Sequence, residues 1–442
     1  MSETNVSLSQ SNITRRTFLG SASKIAAGGV LLGALPVERF AHGAASGTLK
    51  LALIGCGGRG SGAANQALTT GHCRLVAMAD AFGDQLQSSL ANLRAAHPDA
   101  VDVPAGRRYV GFDAYRAATD DADVVVLGAP PGFRPMHYEY AVAQGKHIFM
   151  EKPVATDAPG IRKMLAAAEV AKQKNLKIVV GLQRRYEPGY IETIKRIHDG
   201  AIGDVVAMRC YWNDAGVWVK PRQPNQTEME YQMRNWYYFV WLSGDHIVEQ
   251  HVHNIDVCNW VKGEYPRKAQ GMGGREVRTG KEYGEIFDHH SVEFEYPDGV
   301  RMFSFCRHMR NTWSNVSEHV VGTKGLAEVG KPHVLKDHKG KILWRFRPEK
   351  AVDPYQQEHD ELFDAILNNK QHDDSDYGIR STLSGIQGRL ATYSGQQVMT
   401  DDVLESEIDL FPERLAWDAK PRVLPGPDGF YPVAIPGVSE VV

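Results

Sequence analysis

The chain has 442 residues, 43% of them hydrophobic and 23% charged, with a formal net charge of −3, a balance typical of a globular protein and unsuited to a polyelectrolyte partner such as nucleic acid. At roughly 100 to 200 residues per domain, such a length predicts two domains, each with its own core. The five cysteines (Cys56, Cys73, Cys210, Cys258 and Cys306) are scattered and form no C-x-x-C pair, which argues against a disulfide framework and against structural zinc.

Residues 1–45 read as a targeting segment. Thr14-Arg15-Arg16-Thr17-Phe18-Leu19-Gly20 resembles a twin-arginine translocation signal, and the stretch from Ser21 to Leu35, broken by Lys24 and three glycines, is too polar and short for a membrane helix. Small residues around Ala41 to Ala45 suit a cleavage site. The expectation is a periplasmic or otherwise extracytoplasmic protein carried folded by the twin-arginine translocase. Beyond this segment no run approaches the ~18 apolar residues of a membrane span.

From Thr48 onward, apolar runs of strand length alternate with helical stretches: "TLKLALIG", "CRLVAMAD", "DVVVLGAP", "HIFMEKP" and "LKIVVGL" are separated by helices expected at 84–97, 135–144 and 157–174. This is the pattern of a doubly wound parallel α/β sheet, a Rossmann domain at 48–185. A helix at 188–200 closes with Gly200. Residues 186–400 then change to period-two segments ("DVVAMRCYW", "HSVEFEY", "VRMFSFCRHM"), predicting an α+β domain with a large, open, mostly antiparallel sheet, interrupted by a helix at 244–262 and followed by helices at 355–370 and 381–398, the later one packing back on the first domain. Residues 401–442 are Pro/Gly-rich and read as an extended tail.

Gly55-Cys56-Gly57-Gly58-Arg59-Gly60 is a G-x-G-x-x-G turn between the first strand and its helix. Gly55 permits the tight turn, Gly57 lets the backbone approach a pyrophosphate, and Gly60 lets the helix pack on the strand, with its N-terminus facing the anion. Asp80 ends the second strand, where a carboxylate accepts ribose hydroxyls and repels a 2′-phosphate. NAD is therefore favoured over NADP, although Arg59 keeps the phosphate alternative open.

Glu151-Lys152-Pro153 stands at the carboxyl end of an apolar strand, the edge where open α/β sheets bind ligands. A lysine desolvated there would have a lowered pKa and could polarise a hydroxyl; the competing arrangement is an ion pair with Glu151. In "SGDHIVEQHVHNIDVCNWV" (243–261), helical spacing places His246, Glu249, His253, Asp256 and Trp260 on one face, as for a cavity lining. A metal held by His246, Glu249 and His253, or a satisfied core histidine, are the alternatives; metal adds nothing to hydride transfer and none is assigned.

The segment Gln144 to Pro153, preceded by Ala129-Pro130-Pro131 and His137, together with the glycine turn, resembles the Gfo/Idh/MocA oxidoreductases over about residues 48–400. The resemblance implies a catalytic Lys152, a cofactor site that involves Ala129, Pro130, His137, Glu151 and Lys152 itself, and a helix whose first acid and histidine act on substrate. Here those are Glu249, in place of the usual Asp, and His253, with Asp245 standing at a usual glycine. Asp256 and Trp260 continue the motif. The resemblance also implies a pocket lined by Gln183-Arg184-Arg185-Tyr186, whose alternative is a solvated basic turn, and a homo-oligomer, dimer or tetramer. Aromatic residues such as Trp212 and Trp236 suit the C–H faces of sugar rings but equally suit core packing, and His308 approaches from a strand end. The expected activity is NAD-dependent oxidation of a secondary hydroxyl of a sugar or glycoside, with C3 the expected position in a glycoside and with tightly bound NAD recycled in place. The alternative is a glycosidase working by oxidation, elimination and reduction.

Overall fold

The computed structural model describes residues 48–441, so the twin-arginine motif and the region Ala41–Ala45 lie outside the described residues. The nucleotide domain alternates β1 (Leu49–Ile54), α1 (Gly58–Thr69), β2 (Cys73–Asp80), α2 (Gly83–Ala96), β3 (Arg108–Val110), α3 (Ala114–Asp120), β4 (Val124–Leu127), α4 (Arg134–Ala143), β5 (His147–Met150), α5 (Ala158–Gln173) and β6 (Ile178–Val180). All six strands are parallel, in the order β3-β2-β1-β4-β5-β6. The sheet is covered on both faces, which is why β4 is Val-Val-Val-Leu with every side chain buried. Between β1 and β4 the winding reverses, and the carboxyl ends of those strands open a crevice.

After α6 (Pro188–His198), the second domain forms a nine-stranded sheet. Its strands are β7 (Val205–Asp214), β8 (Lys268–Gly274), β9 (His289–Glu295), β10 (Arg301–His308), β11 (Asn315–Gly322), β12 (Leu326–Glu328), β13 (Val334–Lys336), β14 (Ile342–Arg345) and β15 (Val398–Met399), ordered β14-β13-β12-β11-β7-β10-β9-β8-β15. Every neighbouring pair is antiparallel except β7 with β10. One face of this sheet is covered by helices, and alternation along β7 sends Cys210 and Trp212 to different neighbours from Tyr211, which stacks on Phe305 across the other face.

Two features differ from the periodicity. The helix expected at 244–262 breaks into α9 (His246–Glu249) and α10 (Val252–Lys262), preceded by α7 (Glu228–Arg234) and α8 (Val240–Ser243). The N–H groups of both Gln250 and His251 converge on the carbonyl of His246, so the ladder skips a step and the helix turns. The first late helix, α11 (Pro354–Leu367), packs on the nucleotide domain: Leu362, Phe363 and Ile366 join the core formed by Leu51, Leu53 and Phe149. The second, α12 (Ser375–Ser394), is buried on nearly every side between α5 and β8. A short helix α13 (Thr400–Glu405) opens the tail, which otherwise has no regular structure among the described residues. No helix among the described residues is long and apolar enough to cross a membrane.

Candidate active site

A cleft of about 1050 Å³ runs along the carboxyl edge of the parallel sheet, with walls from both domains. Its first wall is the glycine turn. Gly55 has φ +90°, and a Cβ there would lie 2.2 Å from Ala129 N, while a Cβ on Gly60 would meet Gly55 O at 2.0 Å; a Cβ on Gly57 would meet nothing within 4 Å. The turn thus packs tightly on its inner side and stays open toward the cleft. Helix α1 begins there with no side-chain cap and no acidic residue in its first turn, leaving its amides for an anion. Gly58 and Arg59 also border the cleft.

Asp80 lies at the β2 end of the cleft. Its carboxylate accepts N–H groups from Cys56 (2.6 Å) and Phe82 (2.8 Å), and burial raises its pKa while those bonds oppose the rise. Arg59, which the sequence left as a 2′-phosphate partner, turns the other way: Nε and Nη2 donate to Glu151 Oε1 at 3.1 and 2.6 Å. That basis for NADP is withdrawn. An open amide cradle, an acid at the β2 end and a cleft of this size fit a dinucleotide with a free ribose.

Ala129 and Pro130 follow β4 and lead into α4, on which His137 is buried beside Tyr115 (ring centroids 4.5 Å) and Phe133 (5.8 Å). Burial, helped by Arg134, holds the pKa of His137 down to about 3, so it is a neutral wall. Arg134, which nothing in the local pattern singles out, is 1% exposed and donates to the carbonyls of Leu127, Ala129 (2.8 Å) and Glu151 (3.0 Å), tying the ends of β4 and β5 together. Burial draws its pKa down to about 10 against the pull of Glu151.

At the other end of the cleft, Lys152 pairs with Glu249, not with Glu151. Its Nζ donates to Glu249 Oε1 at 3.0 Å and to the Glu249 carbonyl. The lysine thus meets a carboxylate instead of the apolar isolation expected of it. Burial raises the Glu249 pKa, with Lys152 acting against the rise. The Lys152–Pro153 peptide bond is cis. His253 borders the same space, stacked on Trp212 at 6.0 Å, with Nδ1 buried and unpartnered. Burial, and then the cations Lys152, Arg184 and Arg59, drive its pKa well below the ordinary value, leaving a neutral imidazole. Gln183, Trp218, Trp236, Tyr237 and Gln250 complete this end. Gln250, which sequence reasoning missed, is carried there by the break after α9; its Oε1 accepts from His308 Nε2 (2.7 Å) and Tyr237 OH (3.3 Å).

Other expected substrate residues are committed elsewhere. Arg184 is buried in an ion pair with Glu318, itself held by Asn254 at 2.6 Å. Arg185 makes a two-pronged pair with Asp256 (2.9 and 2.8 Å), and Tyr186 donates to Asp374 at 2.5 Å. Among the described residues that border the cleft, none of these four appears, nor does His308, which acts one step back through Gln250. They are reassigned from substrate contact to internal ion pairs and hydrogen bonds. The break falls after Glu249 and separates His246 from His253, and among the described residues the metal triad considered from spacing does not assemble. His246 instead joins Asp245 and His290 in a buried group. Asp245, with φ +71°, sits where a glycine is usual, and its carboxylate accepts from His246 N–H, His246 Nδ1 (2.8 Å), Phe287 N–H (3.0 Å) and Tyr393 OH (2.5 Å). Burial would raise its pKa, but His290 and His246 hold it well below the usual range.

Comparison with known proteins agrees with this construction. Residues 49–181 match the model of the oxidoreductase family with an NAD-binding Rossmann fold, and residues 190–328 match the GFO/IDH/MocA C-terminal domain. An inositol 2-dehydrogenase of Rhizobium meliloti is 29% identical over 55% of this chain and 64% of its own length, so the chain spans less than two thirds of that relative. One from Gluconacetobacter diazotrophicus is 28% identical over 72% of this chain and 86% of its own. Two solved structures share the fold at 80% coverage of this chain and 99% of theirs. These are the aldose-aldose oxidoreductase of Caulobacter crescentus (TM-score 0.62, 20% identity) and the scyllo-inositol dehydrogenase of Lactobacillus casei with bound NAD(H) and scyllo-inositol (0.61, 21%). A parallel nucleotide-binding sheet, an open second sheet and a cleft between them whose nucleotide half is an NAD site place this chain in the Gfo/Idh/MocA oxidoreductase family.

Proposed function

We propose that the protein is an exported NAD-dependent oxidoreductase that converts a secondary hydroxyl of a sugar, polyol or glycoside, at C3 in the glycoside case, to a ketone, with the cofactor held tightly and recycled in place. The observation that carries the reading is the neutral His253 facing the same cleft as the Lys152–Glu249 pair. Bound NAD supplies the hydride acceptor. His253 takes the hydroxyl proton while Lys152 donates a hydrogen bond to the developing oxyanion, and Glu249 holds Lys152 in place and keeps a carboxylate beside it. The carbon-bound hydrogen leaves as hydride, so the alcohol loses two electrons and two hydrogens in all. Trp212, Trp236 and Tyr237 offer flat faces for the C–H side of a sugar ring. The inositol 2-dehydrogenases among the relatives support a polyhydroxylated substrate. Export rests on the leader sequence, and retention follows from it, because a protein that leaves the cytoplasm must carry its nucleotide.

The test is to isolate the protein from the periplasm, identify any co-purifying nucleotide by mass and absorbance, and incubate it with myo-inositol, free aldoses and an aryl glycoside. Stoichiometric NADH and a keto product are expected. Release of the aglycone with no net NADH would replace the dehydrogenase by the oxidation-elimination-reduction glycosidase, and an empty protein that binds NAD weakly would break the link between export and retention.

A further inference from the structure

The segment from Thr400 to Val441 lies outside the spans of both family matches. Although almost devoid of regular structure, it is anchored on both domains. On the nucleotide domain, Arg162 donates to the carbonyls of Leu404 and Ser406 at 2.7 Å each, and Leu410 N–H donates to Asp157 at 3.0 Å. On the second domain, Gln232 donates to Val423 O at 2.8 Å, and Gly437 N–H to Ser394 O at 2.7 Å.

Between these anchors the segment lays two aromatic rings against the outside of the cofactor cleft. Phe411 meets Phe133 edge-on at 5.4 Å, and Trp417 packs 5.0 Å from Phe82 and 4.6 Å from Phe112. Phe82, Phe112 and Phe133 are themselves cleft walls, and Phe82 stands just beyond Asp80, at the end where the adenosine ribose is expected. Phe82 is gripped a second time by Arg234, from α7 of the second domain. The guanidinium lies 3.9 Å from the ring centroid and makes a two-pronged pair with Asp84 at 2.8 and 3.2 Å. Arg234 also borders the cleft.

We propose that Arg234 and the C-terminal segment form a latch over the adenosine half of the cofactor site, which slows exchange of the dinucleotide. Each contact is weak by itself, since an exposed ion pair and a partly exposed ring contribute little alone. Retention arises because the nucleotide leaves only when the wall moves, and the wall moves only when the Arg234–Asp84 pair and the Trp417 packing break together. The inference rests on NAD occupying this cleft and deepens the reading that the cofactor is recycled in place. A latch also makes a kinetic demand that a simple contact does not: opening it speeds entry as well as exit, so the affinity changes less than either rate.

The experiment loads the full mature chain with NADH, mixes it with excess NAD, and follows loss of bound-NADH fluorescence; association is measured separately. Trp417→Ala and Arg234→Ala are each expected to speed release by about threefold or more, with association faster too, while Trp417→Phe restores most of the wild-type rate. Asp84→Asn removes the same ion pair from an exposed position, where folding is not at stake, and should follow Arg234→Ala. Release within about twofold of wild type in Trp417→Ala and Asp84→Asn overturns the latch. So does a fall in melting temperature alone, which marks a staple between domains. A wild-type chain that binds no NADH overturns the cofactor assignment itself, and the latch with it.

Discussion

Replacing Asp256 by alanine distinguishes an internal ion pair from a substrate contact. The carboxylate is 1% exposed and receives Arg185 Nε at 2.9 Å, Arg185 Nη2 at 2.8 Å and the Ser381 hydroxyl at 2.8 Å. The Arg185 guanidinium is stacked between Trp260 (4.9 Å) and Tyr377 (3.8 Å); burial works against its charge, but Asp256 raises its pKa further, and no neutral form is within reach when the carboxylate is gone. The variant therefore strands a buried cation and takes the acceptor from the Ser381 hydroxyl proton. Breaking one side of a buried pair costs about 3–5 kcal/mol. At about 2–4 °C per kcal/mol, melting should fall by about 6–20 °C. Asp256→Asn, which still accepts one hydrogen bond from each partner, should lose about half as much. Calorimetry checks the stability, and NADH titration well below the transition should give wild-type affinity, because neither residue borders the cleft. Unchanged melting combined with lost turnover would refute the reassignment and return Asp256 to the substrate.

Lys152→Ala should lower the hydride-transfer rate by about 10²–10⁴-fold while leaving NADH affinity within a few-fold, since its hydrogen-bond partners are the oxygens of Glu249 and not the glycine turn. Rapid-mixing single turnovers would show it, and an undiminished rate would exclude Lys152 from the chemistry. Stability should also depend on pH through neutral buried histidines. Burial holds His137 and His359 down to about 3 and His147 and His290 down to about 4. In the unfolded chain each takes up a proton near pH ~6.5, so stability is intact above that value and falls below it, by about 1.4 kcal/mol per histidine at pH ~5.5. His359 is stacked on Phe149 at 4.2 Å with both ring nitrogens unpartnered. His359→Leu should therefore remove about that amount of the acid loss between pH ~7.5 and ~5.5 in urea unfolding; an identical loss in the variant would contradict the assignment.

Local signals made the nucleotide domain legible. The Gly55–Gly60 turn, Asp80 and Glu151-Lys152-Pro153 each stand where an apolar strand ends, and strand ends are set by short-range periodicity. What escaped was the choice of partner among charges distant in sequence. Arg184, Arg185 and Tyr186 follow β6 and are expected in the substrate pocket, but Glu318, Asp256 and Asp374 pair with them instead, and no spacing rule links positions so far apart. A continuous helical wheel through 244–262 misplaced His246 and hid Gln250, because the ladder breaks where two N–H groups share one carbonyl. The role of the tail was illegible for a similar reason: extended segments take their structure from the surfaces they cover.

The Glu151-Lys152 dipeptide shows how these long-range choices produce a site. Adjacent in sequence at the end of β5, the two charges point to different elements, Glu151 to Arg59 at the start of α1 and Lys152 to Glu249 at the end of α9. One strand end therefore ties the phosphate-facing turn to the helix that precedes His253, and Arg134 fixes that strand end by holding the Glu151 carbonyl at 3.0 Å. An ion pair between the two neighbours would have satisfied the charges and disconnected the two halves of the cleft. Splitting the pair ties the nucleotide cradle and Glu249, in the helix that precedes His253, to the same strand end through two separate charge-assisted pairs, so that the geometry at Lys152 depends on both domains being docked.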